Sequence, residues 1–285
     1  MKFSFRQIVL LTGIGMLLCS TLGCAINRPK DGGDETVTPL PPRSAINRPT
    51  DTGDEVMDAE SVIEKVNGVL PNGNIPGHFT QGVDSYAPQP GDFDPMAFFE
   101  ALDALTIKEG YRLDYVYDFN GFSGFPVLYV RPEEQAPFSS VEELAASPDA
   151  ALMRDYMSYI QPDDTADGYY QYVVFSTMVR QFYLFWHSNY NDVQIVCTSE
   201  KIRQIIDATG EFGSEMPVDD KAKSLLINPT PTVAFFDGQV QVRIVTFTNW
   251  GGFYEQIYTI SRTTPADISN VEENNLVPFD CGVMF

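Results

Sequence analysis

The chain has 285 residues, 44% apolar and 20% charged, and its 39 acidic against 18 basic side chains leave a net charge of −21. A surface this acidic repels nucleic acid and anionic lipid headgroups, so neither is expected as a partner. Two His and four Cys with no HExxH or CxxC spacing give a catalytic zinc site no support. No phosphate-cradling glycine loop or GxSxG elbow occurs, and no cofactor is expected.

Lys2 and Arg6 precede an apolar run over residues 8–18, too short to span a bilayer as a final anchor. The run ends in Thr21-Leu22-Gly23-Cys24. This resembles the lipobox of bacterial lipoproteins, where a small residue precedes a Cys that is acylated and becomes the new N-terminus. Thr21 stands where that family usually has Leu, and Leu22 lies one place later. The resemblance covers the N-terminus alone. It implies a signal peptide over residues 1–23, lipid such as palmitate on Cys24, and a protein held by the membrane of the cell envelope, facing outside the cytoplasm. Ala25, where an Asp usually marks inner-membrane retention, implies the outer membrane if the organism has one. Removing Lys2 and Arg6 with the leader, and no acid, takes the net charge from −21 to −23.

Residues 24–55 read as a disordered tether. Ala25-Ile26-Asn27-Arg28-Pro29 recurs as Ala45-Ile46-Asn47-Arg48-Pro49, each copy followed by Asp, Gly, Asp and Glu at matching spacing. Pro, Gly, Thr and acids dominate, and there is no apolar periodicity to bury. Such a tether has a reach of roughly 30 Å. The remainder, residues 56–285, is one globular domain with ample core.

A helix is predicted over residues 59–66, stopping at Asn67-Gly68, with a loop over 71–91. Asp94-Pro95 starts the next helix, with Phe98, Phe99, Leu102 and Leu105 as its buried stripe and Gly110 at its close. Residues 111–117 and 125–131 read as a hairpin around Asn120-Gly121. Ser140 to Glu143 fits a capping box, and Pro148-Asp149 opens a helix carrying Leu152, Met153, Tyr156, Met157 and Ile160. The aromatic and β-branched stretch 168–198 is expected to form the central strands, at 169–176, 181–187 and 193–198, or one long bent strand for the first two. Ser199 caps a helix to 207 that turns Ile202, Ile205 and Ile206 inward, and a shorter helix covers 218–226. Strands follow at 233–236, 239–248, 253–262 and 276–285. Sequence-adjacent hairpins imply an antiparallel sheet with helices segregated to one side: an α+β fold.

Few residues suggest chemistry. Were 181–198 a hairpin, Cys197 and His187 would stand about 13–17 Å apart, too far for proton transfer. Asp163, Thr165, Asp167 and Gly168 match the start of a calcium loop, but Val174 falls where the motif needs a bidentate Glu. Asp163 and Asp167 are therefore only weak metal candidates. In an exported protein, Cys197 and Cys281 are either a disulfide or two buried thiols. Tyr115, Tyr117, Tyr170, Trp186 and Trp250 are the candidate ligand-facing aromatics. The leading expectation is a displayed domain that binds a protein or small molecule in an exposed groove lined by Tyr and Trp. A secreted hydrolase would instead bring two carboxylates together in a pocket, and a structural or assembly lipoprotein would show neither.

Overall fold

The computed structural model describes residues 58–71, 73–82 and 84–284. The expected leader, Cys24 and the duplicated tether lie outside them. No helix among the described residues is long and apolar enough to cross a membrane.

Helix α1 (Ala59–Val69) is capped by Asp58, whose side chain accepts from the Ser61 N–H, and it buries Ala59, Val62 and Val66. It runs through Asn67-Gly68 and ends at Leu70, because a residue before proline is pushed out of the helical region. The stretch to Gly91 holds a 3-10 turn that buries Phe79 and a short strand, β1 (Asp84–Tyr86). Asp94 caps a 3-10 turn that continues into α2 (Phe98–Ala101). That helix is much shorter than expected, and Leu105 opens β2 (Leu105–Ile107).

Strands β3 (Tyr111–Phe119) and β4 (Ser123–Pro132) form the expected hairpin. Asn120 accepts from the N–H groups of Phe122 and Ser123 and so fixes its turn. Helix α3 (Val141–Ala146) has Ser140 as its cap, while Glu143 reaches back to Ser139 rather than to Ser140. The next expected helix breaks into α4 (Ala150–Arg154), a 3-10 turn and β5 (Ile160–Pro162), which pairs with β2.

The expected strand at 169–176 is helix α5 (Ala166–Met178). Residues Gly168 to Phe175 are all buried, so the helix has no polar face to reveal a 3.6-residue period. Its tyrosines satisfy their hydroxyls in separate elements. Tyr169 reaches Asp164, Tyr170 reaches the Ala59 carbonyl, and Tyr172 reaches the carbonyls of Met157 and Ala266. Gln171 accepts from the Ala104 N–H and donates to Asp103 and Asp167.

Only β6 (Phe185–Trp186) and β7 (Gln194–Val196) remain of the other two central strands, with a 3-10 turn, His187–Asn191, between them. Thr198 rather than Ser199 caps α6 (Ser199–Ala208), which buries Ile202, Ile205 and Ile206 as its spacing predicts. Helix α7 (Val218–Ser224) leads to β8 (Thr232–Phe236), β9 (Gln239–Thr248), β10 (Gly252–Ser261) and β11 (Ile268–Pro278). The last strand thus ends where the expected one was to run on.

The fold is α+β with antiparallel sheets. One sheet has the order β1-β3-β4-β6, a second runs β11-β10-β9-β7 with β8 beside β7 on β9, and β2 and β5 make a third, two-stranded one. Helices cover more than one side. Val240, Val242 and Ile244 of β9 share a core with α5, as do Leu113, Tyr115 and Tyr117 of β3. The opposite face of β9, with Val245 and Phe247, packs with the α6 isoleucines. Val116, Val127 and Tyr129 face outward against Leu144 of α3 and Met153 of α4.

Candidate functional site

Four turns carry an aromatic residue at their tip. The β3–β4 turn holds Phe122, the 3-10 turn after β6 holds Tyr190, the bend after α6 holds Phe212, and the β9–β10 turn holds Trp250. In three of them the ring has Asn or Gly as a neighbour: Asn120-Gly121-Phe122, Asn189-Tyr190-Asn191 and Asn249-Trp250-Gly251. Turn chemistry keeps such residues near the surface, where Phe122, Tyr190 and Phe212 expose their rings while Trp250 packs partly against the β9–β10 core.

The fold brings these tips to one face. Phe122 contacts Trp186 at 5.7 Å between ring centroids, and Trp186 stacks on His187 at 5.3 Å. His187 lies 6.1 Å from Tyr190, Tyr190 is 4.8 Å from Trp250, and Trp250 is 6.0 Å from Phe212. Phe122 is 61% exposed, Trp186 and Phe212 42% each, and Tyr190 38%. The result is a continuous, half-exposed aromatic band. The band is held in place: the Trp250 indole N–H donates to the Val283 carbonyl at 2.8 Å, and the His187 backbone N–H donates to the Phe122 carbonyl at 3.0 Å.

At the Trp250 end the band borders an open cleft of about 640 Å³. Met178, Phe182 and Ile195 give it apolar surface, while Asn189, Asp192, Gln194, Lys201 and Asn249 give it polar groups. A second lobe of about 340 Å³ adjoins it, sharing Gln194, Lys201, Phe212 and Asn249. Burial raises the Asp192 carboxyl above its usual range, and the Lys201 charge opposes that shift. Among the described residues, Asp192 is the one carboxylate lining the main lobe, and Glu211 lines the second.

Backbone strain concentrates here too. Among the described residues, the non-glycine residues with positive φ are Tyr183 at 53° and Trp186 at 44°. Tyr183 lines the cleft and Trp186 belongs to the band. Such conformations cost about 1–3 kcal/mol each, and they persist where the surroundings over-determine them, often at binding sites.

The expected aromatic set divides. Trp186 and Trp250 lie in the band, but Tyr115, Tyr117 and Tyr170 are fully buried core residues. Alternation alone made β3 look half-exposed, whereas Tyr115 packs on Phe79 and Phe182, and Tyr117 stacks on Phe79. Tyr190, Phe212, Asp192 and Lys201 were not legible as a set, because only the fold joins segments that distant in sequence.

The disulfide is not formed. Cys197 and Cys281 are both free thiols in different core clusters. Cys197 lies 3.2 Å from the Tyr170 hydroxyl, and Cys281 packs with Phe247 and Phe279. Asp163 and Asp167 make hydrogen bonds at the start of helix α5. Asp163 accepts from the Thr165 hydroxyl at 2.6 Å, and Asp167 accepts from Gln171 at 2.7 Å. No group of three His, Cys, Asp or Glu among the described residues is placed to hold a metal ion.

Compared with protein-family models, curated proteins and solved structures, the chain matches none of them.

Proposed function

We propose that this chain is a lipid-anchored protein of the cell envelope that binds a ligand outside the cytoplasm, in the cleft and along the aromatic band. The leader and Cys24 support the anchor, and the acidic, proline-rich tether suits a domain held clear of the membrane. The observation that carries the binding reading is the convergence of four ring-bearing turns and two strained residues on one face. Turns are where folds place recognition residues, and strain is tolerated where a function repays it.

Both parts of the reading are open to test. Radiolabelled palmitate fed to expressing bacteria is expected to label the wild-type protein and not Cys24→Ser; equal labelling would refute the anchor. The chain's only two tryptophans, Trp186 and Trp250, both lie in the band, so intrinsic emission reports on this face alone. The detergent-solubilised protein is titrated with three probes: a neutral hexasaccharide, hexalysine and an uncharged hexapeptide. At least one is expected to shift the emission saturably. Silence from all three would refute binding at this face.

A further inference from the structure

We infer that the ligand is a neutral oligosaccharide, lying across the cleft with its sugar rings against Trp250 and Phe212. This rests on the binding reading and names the class of ligand that the same site takes.

The chemistry of the lining is the first argument. A sugar ring presents weakly positive C–H groups on its faces and hydroxyls around its edge. The C–H faces are attracted to the negative face of an aromatic ring, and they bury apolar area against it. Phe212 and the partly exposed Trp250 supply such surfaces in the cleft, and Tyr190 lies beside Trp250 at its edge. The hydroxyls each donate and accept. Side-chain amides do the same, and Asn189, Asn249 and Gln194 place three of them beside the rings. Lys201 and Asp192 add one donor and one acceptor for a hydroxyl pair.

Charge and shape narrow the class. The chain's net charge of −21 disfavours acidic or sulfated sugars, and Lys201 against Asp192 and, in the second lobe, Glu211 leaves the cleft itself within one charge of neutral. That balance also gives a basic peptide little to select. A peptide adding to a sheet edge would use β7, the strand that borders the cleft, but β7 is 3 residues long and offers a short template. The site is an open, two-lobed groove rather than an enclosed pocket, which suits several linked sugars over a single one. The rings are pre-set by the indole hydrogen bond to Val283 and by their mutual contacts, so little ordering is lost when a ligand binds.

The test is calorimetric titration of the solubilised full protein with chitohexaose, cellohexaose and hexalysine. The first carries the N-acetylated sugars of a bacterial wall strand and the second those of a plain glucan, so the pair separates an envelope source from an external one. One of the two hexasaccharides is expected to bind, and its disaccharide more weakly. Phe212→Ala, an exposed position, is expected to weaken binding about tenfold, as loss of an aromatic contact does. Leu226→Ala, exposed and outside the cleft, is expected to leave it unchanged. Hexalysine binding that Phe212→Ala abolishes, with neither sugar bound, would keep the site and overturn the glycan. Sugar binding indifferent to both Phe212→Ala and Trp250→Ala would place it elsewhere and overturn the inference. No binding by any probe would overturn both readings.

Discussion

Arg131 makes the most consequential polar contacts in the core. Its Nε donates to Asp114 Oδ2 at 2.9 Å, and Nη1 reaches the carbonyls of Pro132, Glu133 and Gln135. Both partners of the ion pair are buried, and Arg112 Nε, 4.0 Å from the same carboxylate oxygen, is too distant to replace the lost bond. Arg131→Met is therefore expected to cost about 3–5 kcal/mol in urea unfolding, because it strands a buried carboxylate. Asp192 behaves in the opposite sense. Burial raises its carboxyl pKa, so the folded state holds that proton more tightly than the unfolded chain. Its contribution to stability is then present below the ordinary carboxylate pKa and is lost as pH rises through the raised one. Asp192→Asn is expected to melt higher than wild type near neutrality, with the difference shrinking in acid. A variant that melts lower near neutrality would show that the ionised carboxylate is held by favourable contacts.

At the scale of elements, hairpins and capped amphipathic helices could be read directly. Asn120-Gly121 and Asp237-Gly238 mark their turns chemically, and the α6 isoleucines repeat at helical spacing. Helix α5 could not be read this way. Tyr, Phe and Val favour strands by propensity, and burial on every side erased the period that would have countered it. Thr165, whose hydroxyl accepts from the Gly168 N–H at 3.0 Å, was the one local sign of a helix start. The tyrosines hold this helix to its neighbours. Tyr172→Phe removes the hydrogen bonds to Met157 and Ala266 and is expected to cost about 1 kcal/mol in chemical denaturation. No loss would mean that the hydroxyl contributes only as bulk.

For the whole molecule, the proposed tether and the aromatic-edged cleft are separate features that can be tested separately. Trp186 and Trp250 stood out by residue type, but the band needed the fold, since Phe122 and Trp250 come from turns of two different sheets. The tether is predicted to be independent of the domain: deleting one copy of the duplicated segment should leave the melting temperature unchanged, and a large drop would mean the repeat packs on the fold. The most direct test of the central claim is acrylamide quenching of tryptophan emission in the solubilised protein, with and without hexasaccharide. A sugar seated in the cleft shields Trp250, which lines it, so quenching is predicted to fall when the sugar is present. Quenching that stays the same across the sugar titration would contradict it.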